Sequence, residues 1–152
     1  MKPNLLSNII MSSRASSLPL PLALGLLLSV PIALRGEEAL VVNPSVTAKS
    51  LTDDALKDIY LGKTSIWDDG TKIVVVVLKD GPSNDALMRR LNKSPQQFLS
   101  SWKKLVFTGK GAMPEIVTTD QALVDYVAKT PGAIGFIDKE KLQDGVKALT
   151  VQ

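Results

Sequence analysis

An unbroken apolar run, Ile73 to Leu78, lies between Lys72 and Lys79 and is followed at once by Asp80-Gly81-Pro82-Ser83-Asn84. A run of this length, built on consecutive valines, suits a strand covered on both faces, as in a parallel sheet. After the turn the spacing becomes helical, with Leu87, Met88 and Leu91 on one face. Arg89, Arg90 and Lys93 fall off that face, and the arginine pair reads as solvated. Strand, tight loop and helix start form the geometry in which free backbone N–H groups and the helix dipole can receive an anion. Asp80, Gly81, Ser83 and Asn84 are therefore candidate ligand-binding residues, although the plainer role for Ser83 and Asn84 is helix capping.

The 152-residue chain is long enough for one domain, and it contains no cysteine and no histidine. Disulfides, thiolate metal sites and a cysteine nucleophile are excluded. The commonest general base and the commonest zinc ligand are missing as well. These absences argue against an enzyme, and the reading carries no cofactor and no metal. The net charge of +3 belongs to the leader: residues 1–36 hold Lys2, Arg14 and Arg35 and no acid. The 15 acidic residues all lie from Glu37 onward, matched there by as many basic ones. A neutral body gives no basis for nucleic-acid binding.

Residues 1–36 read as an export signal: a basic start followed by the apolar stretch Leu18 to Leu34. Pro19, Pro21 and Pro31 make that stretch a poor spanning helix. Cleavage near Gly36 is expected, the alternative being an uncleaved N-terminal anchor and membrane attachment through the leader alone. Residues 37–152 are then a single domain.

Along the body, Ala39 to Asn43 reads as a short strand, followed by the polar loop holding Ser45 and Thr47. Thr52 is an expected N-cap, with Asp53 and Asp54 in the first turn and Leu51 and Leu56 as a hydrophobic staple. Gly62 closes that helix, and Trp67 to Gly70 is a turn. Ser94, Pro95 and Gln97 open a third helix through a capping box, with Phe98, Leu99, Trp102, Leu105 and Val106 as its core stripe. Thr118 and Gln121 predict a second capping box. Ala133 to Ile137 is a short buried strand in which Gly135 permits a close approach, and Val146 to Val151 reads as a last strand.

The expected order β-α-β-α-α-α-β-β implies an α/β domain, a mostly parallel sheet flanked by helices. Ligands in such sheets bind beyond the carboxyl ends of the strands. That edge is expected to bring together the Asp80–Asn84 loop, Asp138, and Ser45 and Thr47, the last two as further ligand candidates. Gly109-Lys110-Gly111 lacks the spacing of a Walker loop and reads as a surface loop. Asp53-Asp54 and Asp68-Asp69 lack the further oxygen ligands of a calcium loop.

Three segments carry a family resemblance. Ser50 to Lys63, SLTDDALKDIYLGK, with the following IWDDG, resembles a motif of the phosphate-binding proteins of ABC-type phosphate importers. KIVVVVLKDG resembles the strand leading into their Asp-Gly-Ser-Gly-Thr loop, and Val127 to Asp138, VAKTPGAIGFID, resembles their TPGAIGYV segment. KLVFTGKG is similar to a short exported variant of that family. The resemblance implies a reduced type II periplasmic-binding-protein fold. The full-size family has two lobes and roughly twice this chain length. The chain also departs from the family in the loop itself. Pro82, Ser83 and Asn84 stand where the family has serine, glycine and threonine, and Leu78 replaces a basic residue.

The function that follows is non-catalytic, periplasmic binding of phosphate or a similar oxyanion, with an ABC permease or another periplasmic protein as partner. The alternative is an interaction module that has lost anion binding.

Overall fold

Both faces of the central apolar run are covered, which is why it can be apolar throughout. The computed structural model describes residues 37–152; the leader expected over residues 1–36 lies outside the described residues. The elements are β1 (Glu38–Val42), β2 (Ser50–Leu51), α1 (Asp53–Tyr60), β3 (Val74–Leu78), α2 (Pro82–Leu91), α3 (Pro95–Phe107), β4 (Glu115–Val117), α4 (Asp120–Lys129), β5 (Ala133–Asp138) and β6 (Lys147–Val151), with a 3-10 turn at Lys139–Lys141. They form a six-stranded sheet in the order β2-β6-β1-β5-β3-β4.

Alternate side chains of each inner strand serve two cores. Leu40, Val42, Val75, Val77, Ile134 and Phe136 face α1, α2 and α3. Ala39, Val41, Val76, Leu78, Ala133 and Ile137 face α4. Gly135 sits on the α4 side, where a Cβ would fall 2.4 Å from Leu123 Cδ2. The close approach expected at Gly135 is thus made by a helix.

Most local expectations are met. Thr52 Oγ1 accepts from Ala55 N, and Ser94 and Gln97 form the full capping box. Gly62 adopts φ 74° after the last residue of α1. Five features differ. Val106, expected in the core stripe of α3, is 40% exposed near the end of that helix. β2 and β4 are strands that the apolar pattern does not announce, because each is only two or three residues long and partly exposed. The cap of α4 is Thr119, whose hydroxyl accepts from Ala122 N, not Thr118. Arg90 is not a free surface charge: it bonds Asp53 Oδ1 at 3.1 Å and lies 5.9 Å from the Phe136 ring centroid. Finally, β3 is parallel to β4 and β5, and β2 to β6, but β1 runs antiparallel to both its neighbours.

The bottom of the sheet is closed at Gly132. Its carbonyl accepts from Val74 N at 3.1 Å and from Trp67 Nε1 at 2.9 Å, and its N–H donates to Ser45 Oγ at 3.2 Å. Gly132 has φ 77°, and a Cβ there would lie 2.1 Å from the Lys72 carbonyl oxygen. Backbone cannot yield as a side chain tip can. Gly132→Ala is expected to cost about 2–4 kcal/mol, from the left-handed strain plus the overlap. A urea midpoint that falls at unchanged slope checks this.

One core group is unsatisfied. The Tyr60 hydroxyl is buried with no hydrogen-bond partner among the described residues, and burial pushes its pKa far above the ordinary phenol value. Tyr60→Phe removes the orphaned donor and is expected to raise stability by about 1 kcal/mol in the same denaturation experiment.

Candidate functional site

The Asp80–Asn84 loop leaves the carboxyl end of β3 and becomes the start of α2. Gly81 is the N-cap with φ 96° and ψ 174°, a conformation that favours glycine, and its side makes no capping bond. Pro82 occupies the first helical position and has no N–H to give. Asp85 N already donates to Gly81 O at 2.9 Å. The N–H groups of Asp80, Gly81, Ser83 and Asn84 have no acceptor among the described residues. Ser83 and Asn84 are each only 5% exposed, whereas Asp80 and Pro82 are exposed and Gly81 is half-buried, so the donors run from the covered helix start out to an open loop.

A second helix start meets the first. β4 ends at Val117, where Lys79 N donates to Val117 O at 2.8 Å, and α4 begins two residues after Thr118. This brings Asp120 to Ser83, whose hydroxyl donates to Asp120 Oδ1 at 3.4 Å. The bond is long and therefore weak. Asp120 is a member of this site that the pattern alone does not reveal, since its placement depends on the three-residue strand β4.

The charge here is mainly negative. Asp80 and Asp85 are exposed, and Asp120 is half-buried. Asp138, at the carboxyl end of β5, stands at the same edge and accepts from Glu140 N at 2.9 Å. Glu38 pairs with Asp138 in the sheet. Beside it Glu37 bonds Lys139 at 2.6 Å, and that ammonium holds the Glu37 carboxyl below its usual range. The loop thus combines backbone donors, suited to anionic oxygens, with carboxylates suited to accepting a proton-bearing oxygen.

Ser45 and Thr47 are not part of this arrangement. Because β1 is antiparallel, Val42 lies opposite Ile134 and Asn43 N donates to Ala133 O at 3.0 Å. The loop after β1 therefore emerges at the amino ends of β3 and β5, the edge opposite Asp80. There Ser45 accepts from Gly132 N. Asn43 secures the turn, accepting from Ser45 N at 2.9 Å and donating to Val127 O at 2.8 Å. The expectation that Ser45 and Thr47 share an edge with Ser83 assumed a parallel first strand.

A cavity of about 600 Å³ lies away from the Asp80–Asn84 loop, at the opposite edge, between Lys72–Val75, Trp102 and Gly109–Met113. The loop surface is open, as the face of a half-site would be.

A family model described as a PBP superfamily domain matches residues 30–150. The chain belongs to that family. Among solved structures it is similar to a putative phosphate ABC transporter substrate-binding protein from Clostridium perfringens with bound phosphate, at 25% identity and a TM-score of 0.62. The match covers 75% of this chain and 44% of that one. It is also similar to an ABC-type phosphate transport receptor from Vibrio cholerae, at 19% identity and TM-score 0.60, over 75% of this chain and 45% of that one. A possible phosphate binding protein from Planctomyces limnophilus aligns at 18% identity and TM-score 0.57, over 76% and 41%. No curated protein matches the sequence. The chain therefore spans less than half the length of these solved relatives, and its α/β fold is theirs. In this chain the antiparallel β1 separates the two helix starts at one edge from the Ser45 turn at the other.

Thr119, not Thr118, holds the start of α4 against Ser83. Thr119→Ala is expected to cost about 1 kcal/mol of stability, and Thr118→Ala only a few tenths. Paired thermal or denaturant melts distinguish them.

Proposed function

We propose that this chain is an exported solute-binding-like protein that takes phosphate or a similar small oxyanion at the Asp80–Asn84 loop without performing chemistry on it. The observation that carries this reading is the set of N–H groups at Asp80, Gly81, Ser83 and Asn84 that have no protein acceptor among the described residues, gathered at the start of α2. A helix start offers both the donors and the favourable dipole. Membership of the PBP superfamily domain family and the likeness to a structure with bound phosphate support the same reading. Asp80 and Asp120 shape the preference: they repel a fully ionised oxyanion and accept the proton of a hydrogen-phosphate. A single open loop desolvates the ligand little, so binding is weak. The protein acts in the periplasm, with an ABC permease or another periplasmic protein as its partner.

A second reading is a protein–protein interaction module in which anion binding has lapsed. It is favoured by one observation: Phe107 at the end of α3 is 92% exposed, with Val106 at 40% beside it. The two adjacent side chains offer apolar surface for a partner to cover.

A thermal melt with phosphate at on the order of 1–10 mM decides between them, with sulfate and chloride at matched ionic strength. The oxyanion reading expects a rise in Tm specific to phosphate, lost in Asn84→Asp, whose added negative charge at the helix start repels phosphate. No rise with any oxyanion sinks it in favour of the interaction module. A rise that survives Asn84→Asp keeps the function and refutes the site.

A further inference from the structure

We infer that the cavity at the amino end of β3 is a second binding site, for a small amphipathic organic anion: a carboxylate carried on an aromatic or branched apolar body. Its volume, about 600 Å³, is that of a small-molecule site. It lies at the edge opposite Asp80, so the inference does not rest on the oxyanion reading.

The sheet itself creates the site. In a parallel ladder, residues point their backbone groups alternately to one neighbour and the other. Val74 N donates to Gly132 O on the β5 side, so Val75 turns its N–H toward β4. But β4 begins only at Glu115, opposite Val76. The Val75 N–H consequently has no acceptor among the described residues, and Val75 lines the cavity. An edge donor beside an apolar cavity is a ready contact for a carboxylate oxygen.

The walls say what the rest of the ligand must be. Ile73 and Trp102 are buried behind the cavity, whereas Ile66 is 56% exposed and Met113 40% exposed at its border. Trp102 is fixed in place because its indole N–H is committed to Tyr60 O at 3.0 Å. That leaves the ring as an apolar wall, suited to stacking. The charged lining residues are Lys72 and Lys110; no carboxylate lines the cavity, and neither lysine forms an ion pair among the described residues. Two cations, one unpaired N–H and an aromatic wall are complementary to a negative head on an apolar body. A bare inorganic anion would leave the walls unused.

Phenylacetate is a suitable probe, with its neutral amide, phenylacetamide, and inorganic phosphate as controls. The full chain is titrated by calorimetry and by tryptophan emission. The expected result is saturable phenylacetate binding, about tenfold or more tighter than phenylacetamide, since one charge-assisted contact is worth that factor. Lys72→Gln/Lys110→Gln should weaken phenylacetate by about tenfold or more while leaving phenylacetamide unchanged. Gly111→Leu supplies an independent block. A Cβ at Gly111 would meet Trp102 at an ordinary 3.5 Å, so a larger side chain covers the ring without backbone strain. This variant should abolish binding. Asn84→Asp should leave phenylacetate binding intact, which keeps this site separate from the oxyanion loop. No saturable binding up to on the order of 10 mM, equal binding of acid and amide, or binding undiminished by Gly111→Leu each overturns the inference.

Discussion

One glycine holds four segments of this fold in register. The Gly132 carbonyl accepts from both the first residue of β3 and the Trp67 indole, and its N–H is taken by Ser45. The next residue, Ala133, accepts from Asn43 N at 3.0 Å, and Asn43 in turn donates to Val127 O at the end of α4. The end of β1, the start of β3, the Trp67 turn and the end of α4 thus converge on a single backbone corner. A side chain has no room there because the Lys72 carbonyl already occupies the position. The parallel register of β3 on β5, and with it the position of the loop at the far end of β3, depends on this corner.

The corner also separates two edges of different chemistry. Above it, the carboxyl ends of β3 and β5 carry Asp80, Asp120 and Asp138 around a helix start rich in unused N–H groups. Below it, the amino end of β3 carries Lys72, with Lys110 across a cavity walled by Trp102. A helix start attracts negative charge, whereas nearby carboxylates resist it. An oxyanion that keeps a proton answers both demands at the upper edge. The lower edge has cations without carboxylates, so the demand there is for charge joined to apolar bulk.

Features that depend on a few neighbouring residues could be read from the sequence. Ser94 and Gln97 form their capping box, Thr52 caps α1, and the Ile73–Leu78 run lies buried, because each is governed by local geometry or by a pattern within one element. Features set by distant partners could not. Arg90 reads as a solvated charge until α2 packs so that Asp53 stands within reach. Thr118 and Thr119 are indistinguishable as caps until β4 fixes where the chain turns into α4, and a Glu-Ile-Val strand with two exposed residues leaves no periodic signal. Asp120 was invisible as a neighbour of Ser83 for the same reason. The Gly109–Met113 loop reads as surface because its role comes from facing Trp102 and β3, not from its own composition.

By itself, the sequence determined the α/β class, the doubly covered central strand, the strand–turn–helix order around Asp80–Asn84, and a chemistry without thiol or imidazole. Those follow from side-chain periodicity, from turn residues between two periodic segments, and from composition. Only the tertiary structure decided the direction of β1, and with it that Ser45 and Thr47 stand at the opposite edge from Ser83. The physical reason is that a short apolar strand presents the same alternating faces in either direction. Its backbone can satisfy a parallel or an antiparallel ladder, so the choice is made by neighbours that are far away in the chain.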